Sequence, residues 1–304
     1  MFADMKIKCI SPWLGSKRSL APKIVRQLGP HRYYCELCCG SLAVLFAKPP
    51  SEHELVCDLH GGVTNLAWVL KDQGLAFDLF SRLQTVQYHD DIFEASKTWL
   101  EDSEAGIVDE TPNLEWAYHY LIASWQGRNG IAGTDLTNYQ IATRWTALGG
   151  SSPLRFKSAV ESIPAWCERL GHAHILRRDM FQVLQSIEDA LGTAIYIDPP
   201  YLPQTKANKS TYRHEFAAAD HRRLADMLQR FRLARVVVSY YDCEELTRLY
   251  PPAAGWNTID CSRHKHTHTQ SRRGSRYYEA PEVLIVNGEP VPEEPAEQQE
   301  LLFN

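Results

Sequence analysis

"AIYIDPPYLPQ", residues 194–204, decides how the chain is read. Ala194, Ile195, Tyr196 and Ile197 are strand formers with no turn signal among them, which predicts a buried strand. Asp198 stands at its carboxyl end, and in an open α/β sheet ligands bind outside the carboxyl ends of the strands. Pro199 and Pro200 fix φ and remove two backbone donors, leaving carbonyls free to accept hydrogen bonds and holding Tyr201 in a set place. The stretch reads as a rigid acceptor site with an aromatic lid.

Outward from this point the chain alternates strand and helix character. "HAHILRRD" (172–179) precedes it, and the amphipathic "DHRRLADMLQRF" (220–231) and "RVVVSYYD" (235–242) follow, with β-rich sequence to about residue 287. Nearer the start, "YYCEL" (33–37) leads into "CCGSLAVLFA" (38–47), a Gly loop passing into an apolar run with helical character. "ELVCD" (54–58) and the helix-like "GGVTNLAWVLKD" (61–72) complete a β-loop-α-β-α order. Residues 89–172 interrupt the alternation with an acidic stretch, a Trp- and Tyr-rich helical run at 114–126 and "GRNGIAGTDLTNYQ" (127–140). The expected architecture is a doubly wound α/β domain, residues 1–88 and 173–288, with a mainly helical second domain inserted at 89–172. Trp116, Tyr120 and Trp125, near helical spacing, are expected to form the core of that insertion rather than a base-stacking surface.

Composition narrows the class. At 44% apolar and 23% charged residues, 304 residues suffice for a sizeable core. No apolar run approaches the ~20 residues that span a bilayer, and the first residues lack the apolar stretch of a signal peptide, so a cytoplasmic protein is expected. In that setting the eight cysteines read as free thiols, and the C-x-x-C of Cys35, Cys38 and Cys39 as apolar filling rather than a metal site. The net charge of −5 misleads: five of the 37 acids lie in "EPVPEEPAEQQELLFN" (289–304), an acidic tail expected to be disordered. The remainder balances 32 Lys and Arg, and "RHKHTHTQSRRGSR" (263–276) is a basic patch suited to phosphates.

Three groups of residues carry chemistry. Asp198 and the Pro199 carbonyl together could accept both hydrogens of an exocyclic amino group while Tyr201 stacks on the ring bearing it. Gly40, which lets the backbone approach a ligand at a helix N-terminus, and Asp58, placed as an acceptor for ribose hydroxyls, suggest a nucleoside-containing cofactor, or equally a turn and a helix cap. In "SPWLGSKRSLAPKIVRQLG" (11–29) the turn around Gly15, Ser16, Lys17 and Arg18, with Trp13 beside it, either holds a carboxylate and an aromatic ring or caps the next helix.

In order, "PWLGSKR", "CELCCGS", "CDLHGGVTNL", the insertion and "IDPPY" resemble the Dam-like (class alpha) DNA adenine-N6 methyltransferases over residues 11–287. The resemblance implies a Rossmann-like S-adenosylmethionine-dependent methyltransferase domain with an inserted target-recognition domain, methylating adenine in double-stranded DNA, without metal, in a bacterial or phage setting. It implies that Trp13, Gly15, Lys17, Glu36, Gly40, Asp58 and Asp179 bind the cofactor and that Asp198, Pro199, Pro200 and Tyr201 hold the target adenine. Arg128 and Asn129 match the family's recognition loop loosely. Lys206 and Lys209, with Arg263, Lys265, Arg272, Arg273 and Arg276, would grip backbone phosphates. Where the family's cofactor loop has a second Gly this chain has Leu42, expected to add a side chain facing the cofactor. RNA adenine methylation, and a catalytically silent nucleic-acid-binding relative, are the alternatives.

Overall fold

The computed structural model describes residues 5–13, 15–103, 106–107, 110–128, 140–143, 145–146, 150–202, 216–262 and 282–292. In chain order the helices are α1 (Ala21–Leu28), α2 (Gly61–Lys71), α3 (Gln73–Leu83), α4 (Asp90–Ser103), α5 (Leu114–Gln126), α6 (Ser152–Glu161), α7 (Ile163–Leu170), α8 (Met180–Ser186), α9 (Ala218–Leu228) and α10 (Glu244–Leu249). The strands are β1 (Tyr33–Leu37), β2 (His53–Cys57), β3 (Trp145–Thr146), β4 (Gly150–Ser151), β5 (Ala173–Leu176), β6 (Thr193–Ile197), β7 (Arg235–Tyr241), β8 (Trp256–Asp260) and β9 (Glu282–Asn287).

Seven strands form one sheet in the order β5-β2-β1-β6-β7-β9-β8. The first five are parallel, and β9 runs antiparallel between β7 and β8. The fold is therefore the doubly wound α/β class expected from the alternation. All five residues of β6 are buried, as a strand with parallel neighbours on both sides and helices over both faces requires. From β1 the chain winds outward through β2 to β5, then returns to β6 and winds the other way. The reversal opens a crevice between the carboxyl ends of β1 and β6, where Leu37 pairs with Ile197.

One local expectation fails. The run after Gly40 is not an α-helix but a series of turns ending in a 3-10 turn at Leu45–Ala47. Positive φ at Cys38, Gly40 and Leu42 breaks any helical start, and Pro49 and Pro50 stop the run soon after.

The middle segment is mainly helical. Its Trp116, Tyr120 and Trp125 are buried, and they share one hydrophobic cluster with Val63, Leu66 and Leu70 of α2 and with Trp166 of α7. Asn113 caps α5 by accepting from the Trp116 N–H at 2.9 Å, and Asn65 of α2 grips the Asn113 backbone through both ends of its amide. Close contact between α2 and α5 depends on glycine. A Cβ at Gly61 would stand 2.5 Å from the Trp116 ring, and one at Gly62 2.5 Å from the Tyr120 ring. At the other end Gln27 of α1 exchanges two hydrogen bonds with the Val291 backbone, anchoring the first residues of the acidic segment. No helix among the described residues is long and apolar enough to cross a membrane.

Candidate active site

The crevice between β1 and β6 widens into a cleft of about 960 Å³ of empty space, part of it continuous with solvent. The turns after β1, β2, β5 and β6 all reach it. The first is the tightest: Cys38, Gly40 and Leu42 have φ of 57°, 46° and 62°. For a residue with a Cβ that region costs roughly 1–3 kcal/mol, and such strain gathers at functional loops. A Cβ on Gly40 would lie 2.8 Å from the Trp13 indole nitrogen, so the loop backbone rests directly on that ring.

Leu42 does not face the cleft. It is buried in the main hydrophobic cluster and is absent from the cleft lining, whereas Ser41 and Ala43 on either side line it. The left-handed φ that a glycine would adopt freely is retained by the leucine, and it turns the side chain inward. The expectation of a side chain toward the cofactor is thus overturned by backbone geometry.

Asp58 follows β2. Its two carboxylate oxygens accept from the Gly40 N–H and the His60 N–H, each at 2.8 Å, tying the first two loops together. A carboxylate offers about four acceptor sites, so these two amides alone do not exhaust it. His60 in turn caps α2 by accepting from the Val63 N–H, which assigns the ring proton to its other nitrogen, and it meets Trp13 edge to face at 5.4 Å. Asp179 follows β5, caps α8 through the Phe181 N–H at 2.7 Å and also lines the cleft.

Asp198 sits where the sequence put it, directly after β6, its N–H donating to the Leu37 carbonyl. One carboxylate oxygen is 2.8 Å from the Lys17 ammonium, which also donates to the Gly15 carbonyl at 2.8 Å and lies 5.0 Å from the centre of the Tyr201 ring. Lys17 is buried. Desolvation opposes its charge, but Asp198 outweighs it, and the ammonium is held charged well above the ordinary lysine range. Burial pushes the Asp198 carboxyl up, and Lys17 pulls it back toward the ionised form. Burial prevails, so the net displacement of its pKa is upward. Tyr201 is buried, edge on to Tyr241 at 4.4 Å.

Trp13, Lys17, Glu36, Gly40, Asp58, Asp179, Asp198, Pro199, Pro200 and Tyr201 thus surround one cleft. Gly15 stands behind it, contributing its carbonyl to Lys17. Arg128 is exposed just past α5 and does not line the cleft. Asn129, Lys206, Lys209, Arg263, Lys265, Arg272, Arg273 and Arg276 lie outside the described residues. Sequence reasoning missed His60, Met180 and Phe216 as lining residues. The first two adjoin Asp58 and Asp179 along the chain, whereas Phe216 follows the adenine motif at a distance that no local pattern marks. All eight cysteines are free, and burial pushes the Cys38 and Cys39 thiols well up, so they are neutral, apolar lining. Among the described residues no three His, Cys, Asp or Glu side chains could hold a metal ion.

Glu36 makes a testable pH signature. Its carboxyl is buried and accepts from the Tyr34 hydroxyl at 2.8 Å. Burial, only partly offset by that hydrogen bond, pushes its pKa up to about 8. A carboxyl whose pKa is raised on folding contributes stability that is complete below its unfolded value and is lost as pH rises through the folded one. Urea unfolding of the ligand-free protein should therefore show Glu36 withdrawing about 3–5 kcal/mol between pH 5 and pH 8. Glu36→Gln should flatten the profile by that amount; superimposable profiles would refute the assignment.

Comparison with known proteins places this geometry. No curated protein matches the sequence. Among solved structures, a precorrin-6y C5,15-methyltransferase from Geobacter metallireducens GS-15 is similar at 7% identity and a TM-score of 0.34, covering 88% of this chain and 85% of that one. A putative methyltransferase from Thermoplasma acidophilum is similar at 10% identity and a TM-score of 0.23, covering 44% and 54%. At those scores the fold rests on the sheet order itself. The family described as D12 class N6 adenine-specific DNA methyltransferase matches residues 13–141 and 153–263, a span that takes in Trp13, Lys17, the Gly40 loop, Asp58, Asp179 and Asp198–Tyr201. The chain belongs to that family and is a DNA adenine-N6 methyltransferase.

Proposed function

We propose that the protein transfers a methyl group from S-adenosylmethionine to the 6-amino group of an adenine flipped out of duplex DNA, at a specific sequence, in the cytoplasm of a bacterial or phage-infected cell. The observation that carries this reading is the Lys17-held Asp198 carboxylate at the end of the central strand, opening on the same cleft as the Gly40 loop and Asp58.

The lining fits the cofactor. Gly40 leaves no room for a Cβ against Trp13, which gives a flat cradle. Asp58 and Asp179 offer acceptors for hydroxyl and amino groups, and Trp13, Met180 and Leu59 supply apolar wall. Trp13, Lys17, Glu36, Gly40, Asp58 and Asp179 would hold the cofactor, with Gly15 positioning Lys17. When bound, the cofactor supplies an electrophilic methyl group on a sulfonium.

The remaining chemistry belongs to the chain. The adenine amino nitrogen is a poor nucleophile while its lone pair is delocalised into the ring. Asp198 and the Pro199 carbonyl would accept its two hydrogens and favour a pyramidal nitrogen, so that much of the rate comes from positioning. Lys17 pulls Asp198 toward the ionised form and fixes one oxygen, leaving the other for the base. Pro200 stiffens the turn, and Tyr201, with Phe216 nearby in the lining, would flank the extruded ring. Residues 1–88 and 173–288 would form the catalytic domain and 89–172 the target-recognition domain, with Arg128 and Asn129 in its loop. The lysines and arginines of 204–214 and 263–276 would hold phosphates, and 289–304 would serve as an acidic tail.

The test is transfer of labelled methyl to unmethylated duplex DNA and to RNA in parallel, with the modified nucleoside identified by mass spectrometry. Label as 6-methyladenine in DNA is expected. Label in RNA alone would reassign the polymer, and no label with the cofactor bound would favour the silent alternative.

The cofactor loop gives a second test. Leu42→Ala should lower stability by about 2–5 kcal/mol, the loss for a buried leucine. Its calorimetric affinity for S-adenosylmethionine should stay within twofold of wild type. A fall in affinity at unchanged stability would return Leu42 to the cofactor surface.

A further inference from the structure

A second cleft adjoins the first across a single turn. It is lined by Lys6, Arg18, Arg155 and Ser158, with Leu154 at its edge and the buried Trp125 as its floor. Three of these side chains are basic and none is acidic, in a chain of net charge −5. Lys6 is engaged with Glu161 at 2.8 Å, but Arg18 and Arg155 are exposed and make no ion pair among the described residues. Both arginines line this one cleft although they come from distant parts of the chain. Two uncompensated cations so close repel each other, an arrangement that a bound anion relieves.

Position supplies the rest of the argument. Arg18 follows Lys17 in the Lys17–Ser19 turn, so that turn presents Lys17 to the Asp198 cleft and Arg18 to the second one. Trp125 belongs to the last turn of α5, three residues before Arg128. The second cleft therefore lies between the catalytic turn and the segment leading to the recognition loop. A strand running from Asp198 toward Arg128 would meet it.

We propose that Arg18 and Arg155 bind consecutive backbone phosphates of the DNA strand beside the target adenine. This rests on the proposed duplex-DNA substrate. Guanidinium groups suit phosphate oxygens because two parallel N–H donors match two oxygens. They carry no sequence information and set the register of the strand.

The experiment is fluorescence anisotropy of a labelled duplex with wild type, Arg18→Ala, Arg155→Ala and the double variant, each from 50 to 250 mM salt. Each released phosphate contact should reduce the slope of log Kobs against log salt by about 0.9, the double variant by about 1.8. At 100 mM salt each single variant should bind roughly 5–10-fold more weakly, and Arg18→Lys with Arg155→Lys should recover most of the slope. Calorimetric binding of S-adenosylmethionine should be unchanged in all of them, which excludes misfolding. Wild-type binding with an unaltered slope in the double variant overturns this assignment alone. A wild type that shows no salt-dependent binding to duplex overturns the DNA reading as well.

Discussion

Asp198→Ala is expected to lower single-turnover methyl transfer by roughly 10³-fold or more, the scale on which removal of a preorganised polar group at a reacting centre acts. The carboxylate is proposed to be the principal acceptor for the adenine amino group, and nothing else lining the cleft beside Pro199 carries an equivalent acceptor at the end of β6. The substitution also strands Lys17. Lys17 is buried while the Asp198 side chain is 21% exposed, so removing the acid costs less than the about 3–5 kcal/mol of a fully buried pair but still leaves a buried ammonium without its counter-charge. Loss of activity in Asp198→Ala could then arise from chemistry or from unfolding, so Asp198→Asn is the discriminating variant. It keeps the shape and one acceptor oxygen, and should remain folded with a loss of about 10²-fold or more. Lys17→Met tests the other side of the pair. Without the ammonium, burial acts on Asp198 unopposed, its pKa rises further, and the acid limb of the pH–rate profile should move to higher pH. Activity of Asp198→Ala within tenfold of wild type would sink the proposed role.

Arg169→Ala is expected to cost about 3–5 kcal/mol of stability, readable as a lower urea midpoint with an unchanged slope. Arg169 of α7 reaches both oxygens of Glu54 in β2, at 2.5 and 2.9 Å, and donates to the Leu45 carbonyl at 3.0 Å. Lys48 approaches the same carboxylate at 2.5 Å and stands 4.4 Å from the centre of the Tyr34 ring, while the Ser51 N–H adds a further bond at 3.0 Å. Glu54 and Lys48 side chains are at 0% and 1% exposure, so removing Arg169 takes two charge-assisted hydrogen bonds from Glu54 and the Leu45 carbonyl's donor, leaves Lys48 as the carboxylate's remaining charged partner and opens a cavity in a dry interior. Desolvation pushes the Glu54 carboxyl up, but Arg169 and Lys48 outweigh it and hold the pKa below the usual glutamate range. Its contribution to stability is therefore present above that range and is lost as pH falls through the depressed value. Replacing the whole cluster is a different matter. Lys48→Met, Glu54→Leu and Arg169→Met together should retain most of the stability, because an apolar substitute removes the desolvation penalty along with the pairs. A loss under 1 kcal/mol for Arg169→Ala alone would show that the cluster holds little of the fold together.

The sequence by itself determined the order of strands and helices, the doubly wound class and the position of Asp198 at the end of a buried strand. Those readings succeed because periodicity, turn chemistry and the prolines after Asp198 act within a few residues of chain, and an isolated segment already expresses them. The Trp- and Tyr-rich run was legible as α5 for the same reason. Leu42 marks the boundary of such reasoning. Its identity suggested an obstruction, but the direction of its side chain follows from a φ of 62° imposed by the packed loop, which no spacing encodes. The failed helix after Gly40 has the same origin.

The pairings belong wholly to the tertiary structure. Lys17 meets Asp198, and Glu54 meets Arg169, only once the sheet has brought distant parts of the chain side by side. Until then each is an ordinary hydrated charge. Burial then decides which of them strain, which protonate and which hold a neighbour in place, because the energy of a charge depends on the water it has lost, and that loss is a property of the assembled fold rather than of any segment of the chain.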